Sequence, residues 1–451
     1  MVSRENVAAI KIVGVGAAGA SFALSLWLLF SFDTANPDMQ FVQMFHWVPA
    51  LHINYLLGVD GISLWMVMLT AFLGLIAIMF SFTQKEGLRN FVALMLALEA
   101  GTLGVFLALD TILFYVFWEL MLVAILSLTM VHYGATHEVT FDLRVLTLTH
   151  IDPSMQTWMF LFFFLAFAIK VPVFPLHSWL PHTYAACPIP TLILLTGAMS
   201  KTGAYGFLRF CLPLFPEAVE SFAMVIGLMA AAGMVYGAWI AIAQKDLKAL
   251  VAYASISHLG FIVIGIFANN GTGIEGSLLQ MVNHGIIASA LFLIVAFIEM
   301  RTGTRNLDEL RGLSKAMPVL YGTFMLIMLA ALGLPGLNGF VGEFLILMGV
   351  WTSSMFSGLS GILVLMGGLS IVFASIYMLY MFQGSMQGKS DNQGLTDIDR
   401  GEFKLLLPAC LLIIFIGLYP KPFIDRVTPS VDALLHLEKT VNLHTEESDL
   451  H

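Results

Sequence analysis

Residues 162–182 read FFFLAFAIKVPVFPLHSWLPH, and residues 327–347 read IMLAALGLPGLNGFVGEFLIL. Each is an apolar run long enough to sit in a bilayer, and each is broken near its middle. In the first, Pro172, Pro175 and Pro181 follow a single lysine, Lys170; in the second, Leu334-Pro335-Gly336 precedes a single acid, Glu343. Proline removes a helical N–H and glycine loosens the backbone beside it. In hydrocarbon the freed polar groups must be met by protein or water. An ordinary proline kink is the plainer reading of either break alone. Two interrupted helices, each with a charge at the break, point instead to a membrane protein that carries an ion.

The rest of the chain agrees with a membrane setting. Of 451 residues, 59% are hydrophobic and only 11% charged, with a mean hydropathy of +0.89. Soluble domains are about half apolar and roughly a quarter charged. So little charge cannot cover a water-soluble protein of this size. Spans of about 20 apolar residues recur near 7–31, 61–82, 91–109, 112–132, 158–186, 190–213, 218–242, 247–268, 273–300, 317–350, 360–384 and 403–419. The expected fold is therefore all-α, a polytopic bundle of about twelve transmembrane helices. The first run lacks a small-residue cleavage site and is too long for a signal-peptide core, so it reads as the first span.

Several function classes fall away. A formal net charge of −9 and the lack of a basic stripe exclude nucleic-acid binding. Cys187, Cys211 and Cys410 lie far apart without metal-ligand spacing, and read as small packing residues. No dinucleotide fingerprint or iron–sulfur spacing appears, so no cofactor or metal is expected in this chain.

Basic residues collect in the N-terminal stub (Arg4, Lys11) and in four loops: Lys85 and Arg89; Lys245 and Lys248; Arg301, Arg305, Arg311 and Lys315; Lys389, Arg400 and Lys404. The positive-inside rule sets all of these on the cytoplasmic face. Twelve single crossings do not. The first two clusters fall on one side and the last three on the other. One more crossing between about 110 and 218 would reunite them.

The chemistry-bearing residues lie inside the spans. Glu119 sits in ILFYVFWELMLV, Lys201 in LILLTGAMSKTGAYGFLRF, and Lys170 and Glu343 beside the two breaks. A bare charge at mid-membrane costs about 2.5 kcal/mol or more. Desolvation favours the neutral form of acid and amine alike, so such groups exchange protons with whatever neighbour or water they meet. His258 (SISHLGF) and His284 (VNHGIIAS) are natural relays, because imidazole titrates near neutral pH. The plainer reading of each is an ion pair or hydrogen bond that only fixes helix packing.

These residues come in recognisable strings: LGVDGISLWMVMLT (57–70), FYVFWELMLV (114–123), AFAIKVPVFPLHSWLPH (166–182), SKTGAYGFLRF (200–210), AQKDLKALVAYASISHLGF (243–261) and LGLPGLNGFVGEFLIL (332–347). Together they resemble the antiporter-like subunits of respiratory complex I, over about residues 7–420. The resemblance implies two inverted repeats, each containing a broken helix, arranged along a polar axis through mid-membrane. It divides the chain into N-terminal helices at 1–109, a shortened first repeat at 110–213, a second repeat at 214–384, and a last span with its tail at 385–451. By position Glu119 is similar to the family's helix glutamate, paired with Lys170, and Lys201 to its central lysine. Glu343 is similar to the terminal residue of the second broken helix. Siblings of the L and N type and the cation/proton antiporter subunits usually carry lysine there.

The resemblance also implies proton translocation coupled to quinone reduction in other chains, which hold the NAD, FMN, iron–sulfur clusters and quinone. The implied partners are the L- and N-type and small membrane-arm subunits and the lipid of a bacterial cytoplasmic membrane. Two departures stand out. A helix that normally precedes the first span is missing, and about one crossing is absent near 120–135. The alternatives are a subunit of a hydrogenase-linked or cation/proton antiporter complex, or a non-pumping structural subunit of the membrane arm.

Overall fold

A computed structural model of the chain describes residues 7–83, 87–116, 122–389 and 394–448. Glu119, Lys85 and Arg4, singled out above, lie outside the described residues. Among the described residues nine helices are long and apolar enough to cross a membrane.

Helix α1 (Val7–Ser31) is followed by an antiparallel hairpin, β1 (Gln40–Val48) and β2 (Ile53–Val59), and then by α2 (Gly61–Ser81) and α3 (Leu88–Leu107). The hairpin corrects the all-α expectation. Its strands are 9 and 7 residues long, and a hydropathy window of span length averages such segments away. Their aromatic and β-branched residues favour a pleated ribbon.

Two short helices, α4 (Thr111–Val116) and α5 (Leu122–Thr136), stand where one span was expected, followed by a single turn, α6 (Leu143–Leu146). Asp110 and Asp142 are bridged, with Thr111 N–H donating to Phe141 O at 2.8 Å and Leu143 N–H to Leu109 O at 2.9 Å. Both ends of this segment therefore lie side by side. The Asp110 carboxyl fixes the junction, accepting from the N–H groups of Ile112 (2.9 Å) and Leu113 (3.1 Å) in α4 and of Asn54 (3.1 Å) in the hairpin. Phe114 reaches inward, its ring 4.5 Å from Phe210 and 6.4 Å from Phe167.

The first broken element is α7 (Pro153–Lys170) followed by α8 (Trp179–Ala186). The next run is α9 (Ile189–Leu194), α10 (Ser200–Gly206) and α11 (Leu212–Leu214), joined by π turns at Leu195–Met199 and Phe207–Cys211. Then come α12 (Pro216–Ile242), α13 (Leu247–Phe267) and α14 (Gly271–Thr302). The second broken element is α15 (Pro318–Ala331) with α16 (Asn338–Thr352), and α17 (Ser360–Met386) and α18 (Arg400–Leu418) follow. Last is α19 (Lys421–Ser448), whose buried Phe423, Val427, Val431 and Leu434 form one helical stripe.

Helix α14 is the hub. It packs on α2, α13, α16, α18 and α19, and its most apolar stretch is wholly buried. Its polar residues, Gln280, Asn283, His284 and Ser289, therefore face protein on every side.

Contacts between helix ends sort the loops into two faces. Helices α2 and α14 run parallel: Trp65 and Glu275 line one small cavity near their starts, and Phe80 and Phe297 meet at 5.9 Å near their ends. Lys11 lies 5.3 Å from the Phe82 ring, which brings the start of α1 to the finish of α2. Beside the C-terminal end of α14, Lys245 pairs with Asp308, Arg305 with Asp246 at 3.1 Å, and Arg301 with Glu402 at 2.5 Å. The described basic clusters thus share one face, which the positive-inside rule makes cytoplasmic. On the other, the hairpin face, Gly61 N–H donates to Ser430 Oγ at 2.9 Å, and Thr428 Oγ1 to Glu275 at 2.5 Å.

The single crossing expected at 112–132 is corrected accordingly. The chain leaves the hairpin face at Asp110 and is back there by Asp142, so the segment adds no net crossing. Twenty apolar residues in a row cannot by themselves distinguish a crossing from a dip and return.

Candidate functional site

Lys201 is fully buried on α10. Its Nζ donates to the Thr196 carbonyl, within the π turn that precedes α10, and lies 2.7 Å from Nδ1 of His284. π turns widen a helix locally and recur at functional sites; this one opens where the lysine folds back. Both partners are uncharged acceptors, so neither offsets an ammonium charge. With Nδ1 accepting from the lysine, the His284 proton sits on Nε2, an assignment made from the bonding pattern. That Nε2 finds no hydrogen-bonding partner among the described residues.

The His284 and His258 rings stand 5.7 Å apart, centre to centre. His258 Nδ1 is 2.9 Å from Glu343 Oε1, and its Nε2 is 3.4 Å from the Tyr377 hydroxyl. Gln280 Nε2 donates to the same Glu343 oxygen at 3.3 Å. The other carboxylate oxygen faces the break between α15 and α16. There Gly333 has φ of 76°, and a Cβ on it would stand 3.0 Å from Oε2. Only glycine meets both demands comfortably. Four residues singled out in the sequence, from α10, α14, α13 and α16, thus form one buried line: Lys201, His284, His258, Glu343.

Lys170 is half-buried at the last residue of α7. The α7 end packs against α10, since a Cβ on Gly203 would meet Phe167 O at 2.7 Å and Val171 N at 3.2 Å. Glu119, its expected partner, lies outside the described residues.

Sequence reading missed three contributors. Gln280 and Tyr377 are neutral and sit in apolar helices, where only helical spacing relative to His284 could have drawn notice to Gln280. The third is a buried pair on the hairpin face, Arg209 NH2 to Asp60 Oδ1 at 2.6 Å, with side chains 10% and 5% exposed. Asp60 also caps α2, accepting from Ile62 N–H at 3.2 Å and Ser63 N–H at 2.9 Å.

A family profile described as NADH:quinone oxidoreductase/Mrp antiporter, transmembrane, matches residues 112–373. The chain is 34% identical to NADH-quinone oxidoreductase subunit M of Rickettsia conorii, covering 94% of this chain and 92% of that one. It is also 34% identical to subunit M of Escherichia coli, over 90% and 88% of the two chains. Among solved structures, a chain of respiratory complex I from Thermus thermophilus with bound NADH superposes with a TM-score of 0.86 at 30% identity, covering 95% of each chain. The chain belongs to the proton-translocating, antiporter-like membrane subunits of NADH-quinone oxidoreductase, in the subunit M branch of that family.

Proposed function

We propose that protons cross this subunit along the line Lys201–His284–His258–Glu343, driven by quinone reduction in other chains of the complex. The single observation that carries the reading is the 2.7 Å contact between Lys201 Nζ and His284 Nδ1, continued by the 2.9 Å contact between His258 and Glu343. A bare charge at mid-bilayer costs about 2.5–3.5 kcal/mol, so a proton on Lys201 is poised to leave. It passes to Nδ1 of His284, and the proton on Nε2 is released toward His258. One water bridges that step, as bridging waters do where polar groups lie beyond direct reach. His258 receives at Nε2 and hands on from Nδ1 to Glu343. Tyr377 and Gln280 hold the last two groups in register as positioning residues.

Glu119 and Lys170 supply Lys201. When the carboxylate moves away, Lys170 gives up its proton toward α10. The two broken elements run in opposite senses, α7–α8 toward the basic face and α15–α16 away from it, which supports inverted repeats at 110–213 and 214–384. Residues 1–109 then form the N-terminal helices, and 385–451 the last span and tail. L- and N-type and small subunits flank the chain in the membrane arm, and NAD, FMN, iron–sulfur clusters and quinone belong to partner chains.

Glu343→Gln tests the route in the complex reconstituted into liposomes, because the amide keeps the shape and cannot take up the proton. Fewer protons pumped per NADH oxidised, in a fully assembled complex, is the expected result. An unchanged ratio contradicts the route.

A further inference from the structure

An open pocket with charged groups in its lining, which the relay does not use, lies on the hairpin face. It holds about 420 Å³ between residues 37–39, just ahead of β1, and α6 and α19. Exposed Asp38 and Arg144 stand at its mouth, Thr147 and Ser430 on its walls, and the Asp60–Arg209 pair at its floor. One water needs about 10–15 Å³ of such space, so a file of waters fits.

Beyond the floor the polar groups continue inward. Arg209 Nε donates to the Tyr205 hydroxyl at 3.1 Å, and that hydroxyl donates to Phe106 O at 3.1 Å. Lys201, Tyr205 and Arg209 follow one another at intervals of four on one continuous helical run, and therefore lie along one face. The fully buried Tyr205 thus stands between Lys201 and Arg209 in the spacing of that face. Both π turns among the described residues fall on this run, one just before Lys201 and one around Arg209.

We propose that this cavity is a second proton port, leading from the hairpin face to Lys201, and that the Asp60–Arg209 pair is its gate. A guanidinium fixed across a narrow polar path repels an approaching proton. Its 2.6 Å bond to Asp60 keeps it there. When the pair parts, a proton from the cavity water reaches the Lys201 amine by way of the Tyr205 hydroxyl. With the pair closed, Lys201 exchanges only with the relay. The proposal rests on Lys201 carrying protons.

The test uses the whole complex in liposomes without NADH, reading the decay of an imposed pH gradient. Asp60→Asn with Arg209→Gln removes both charges, and asparagine still caps a helix well. The expected result is a passive proton leak at least about fivefold faster, returned to baseline by adding Lys201→Ala. An assembled double variant with no added leak overturns the gate, as does a leak that survives Lys201→Ala. Should the double variant fail to assemble, Thr147→Cys decides. Combined with Arg209→Gln, which opens the gate alone, it should leak, and filling the cavity there with a charged methanethiosulfonate should return that leak to baseline; no added leak, or a leak unchanged at full labelling, overturns the port. Normal pumping by Lys201→Ala alone would instead strike the relay, whatever the leak does.

Discussion

Lys201 and His284, 83 residues apart in the chain, meet at 2.7 Å in the interior of the bundle, the lysine wholly buried and the histidine 3% exposed. The contact couples the helical run that holds the first π turn to the hub helix. In the proposed route the imidazole is the acceptor through which a lysine proton reaches the second half of the molecule.

His284→Leu keeps the bulk and removes the acceptor. Proton transfer by a positioned acid–base group is worth about 10²–10⁴-fold. The variant should slow pumping through this subunit by roughly 10²-fold while the complex still assembles. Proton uptake followed with a pH-sensitive dye during NADH oxidation checks this, and pumping at the normal rate would remove His284 from the route.

The return of the segment between Asp110 and Asp142 is open to labelling. In a background without native cysteines, Leu148→Cys should react with an impermeant thiol reagent from the same face as Asp38→Cys. Arg89→Cys should react from the other. A single crossing at 112–132 would instead put Leu148→Cys and Arg89→Cys together.

Asp110→Ala removes the acceptor for three backbone N–H groups at the junction of hairpin and α4. Loss of such a cap costs about 0.5–2 kcal/mol. Amide hydrogen exchange at Asn54, Ile112 and Leu113 should quicken by roughly tenfold, while exchange within α14 stays as it was. Unchanged exchange at all three would mean that the cap contributes nothing.

Gly333→Ala forces a side chain onto a left-handed backbone, costing about 1–2 kcal/mol, and sets a methyl 3.0 Å from Glu343 Oε2. Thermal unfolding of the complex should start at a lower temperature and pumping should fall with it. A variant equal to the parent in both would show that the break tolerates any residue there.

How far the sequence spoke depended on the kind of signal. Runs of span length announce themselves by hydropathy, and Pro172, Pro175 and Pro335 mark the breaks because proline acts locally. Lys201, Glu343, His258 and His284 stood out because a polar residue within an apolar helix is costly wherever its partner lies. The partners did not stand out. Asp60 and Arg209 are 149 residues apart, and each sits near a helix end, where a charge reads as a cap or a surface group. Gln280 and Tyr377 carry no charge to betray them. The mismatch in the basic loops did point to the region 110–218. Hydropathy alone did not say that the correction was a return to the hairpin face, which rests on the pairing of Asp110 with Asp142.

The most direct measurement is proton pumping by the reconstituted complex carrying Lys201→Ala. Every step described here passes through that amine, so NADH oxidation should move measurably fewer protons per electron pair in a complex of normal composition. A ratio equal to that of the unsubstituted complex would contradict the account at its root.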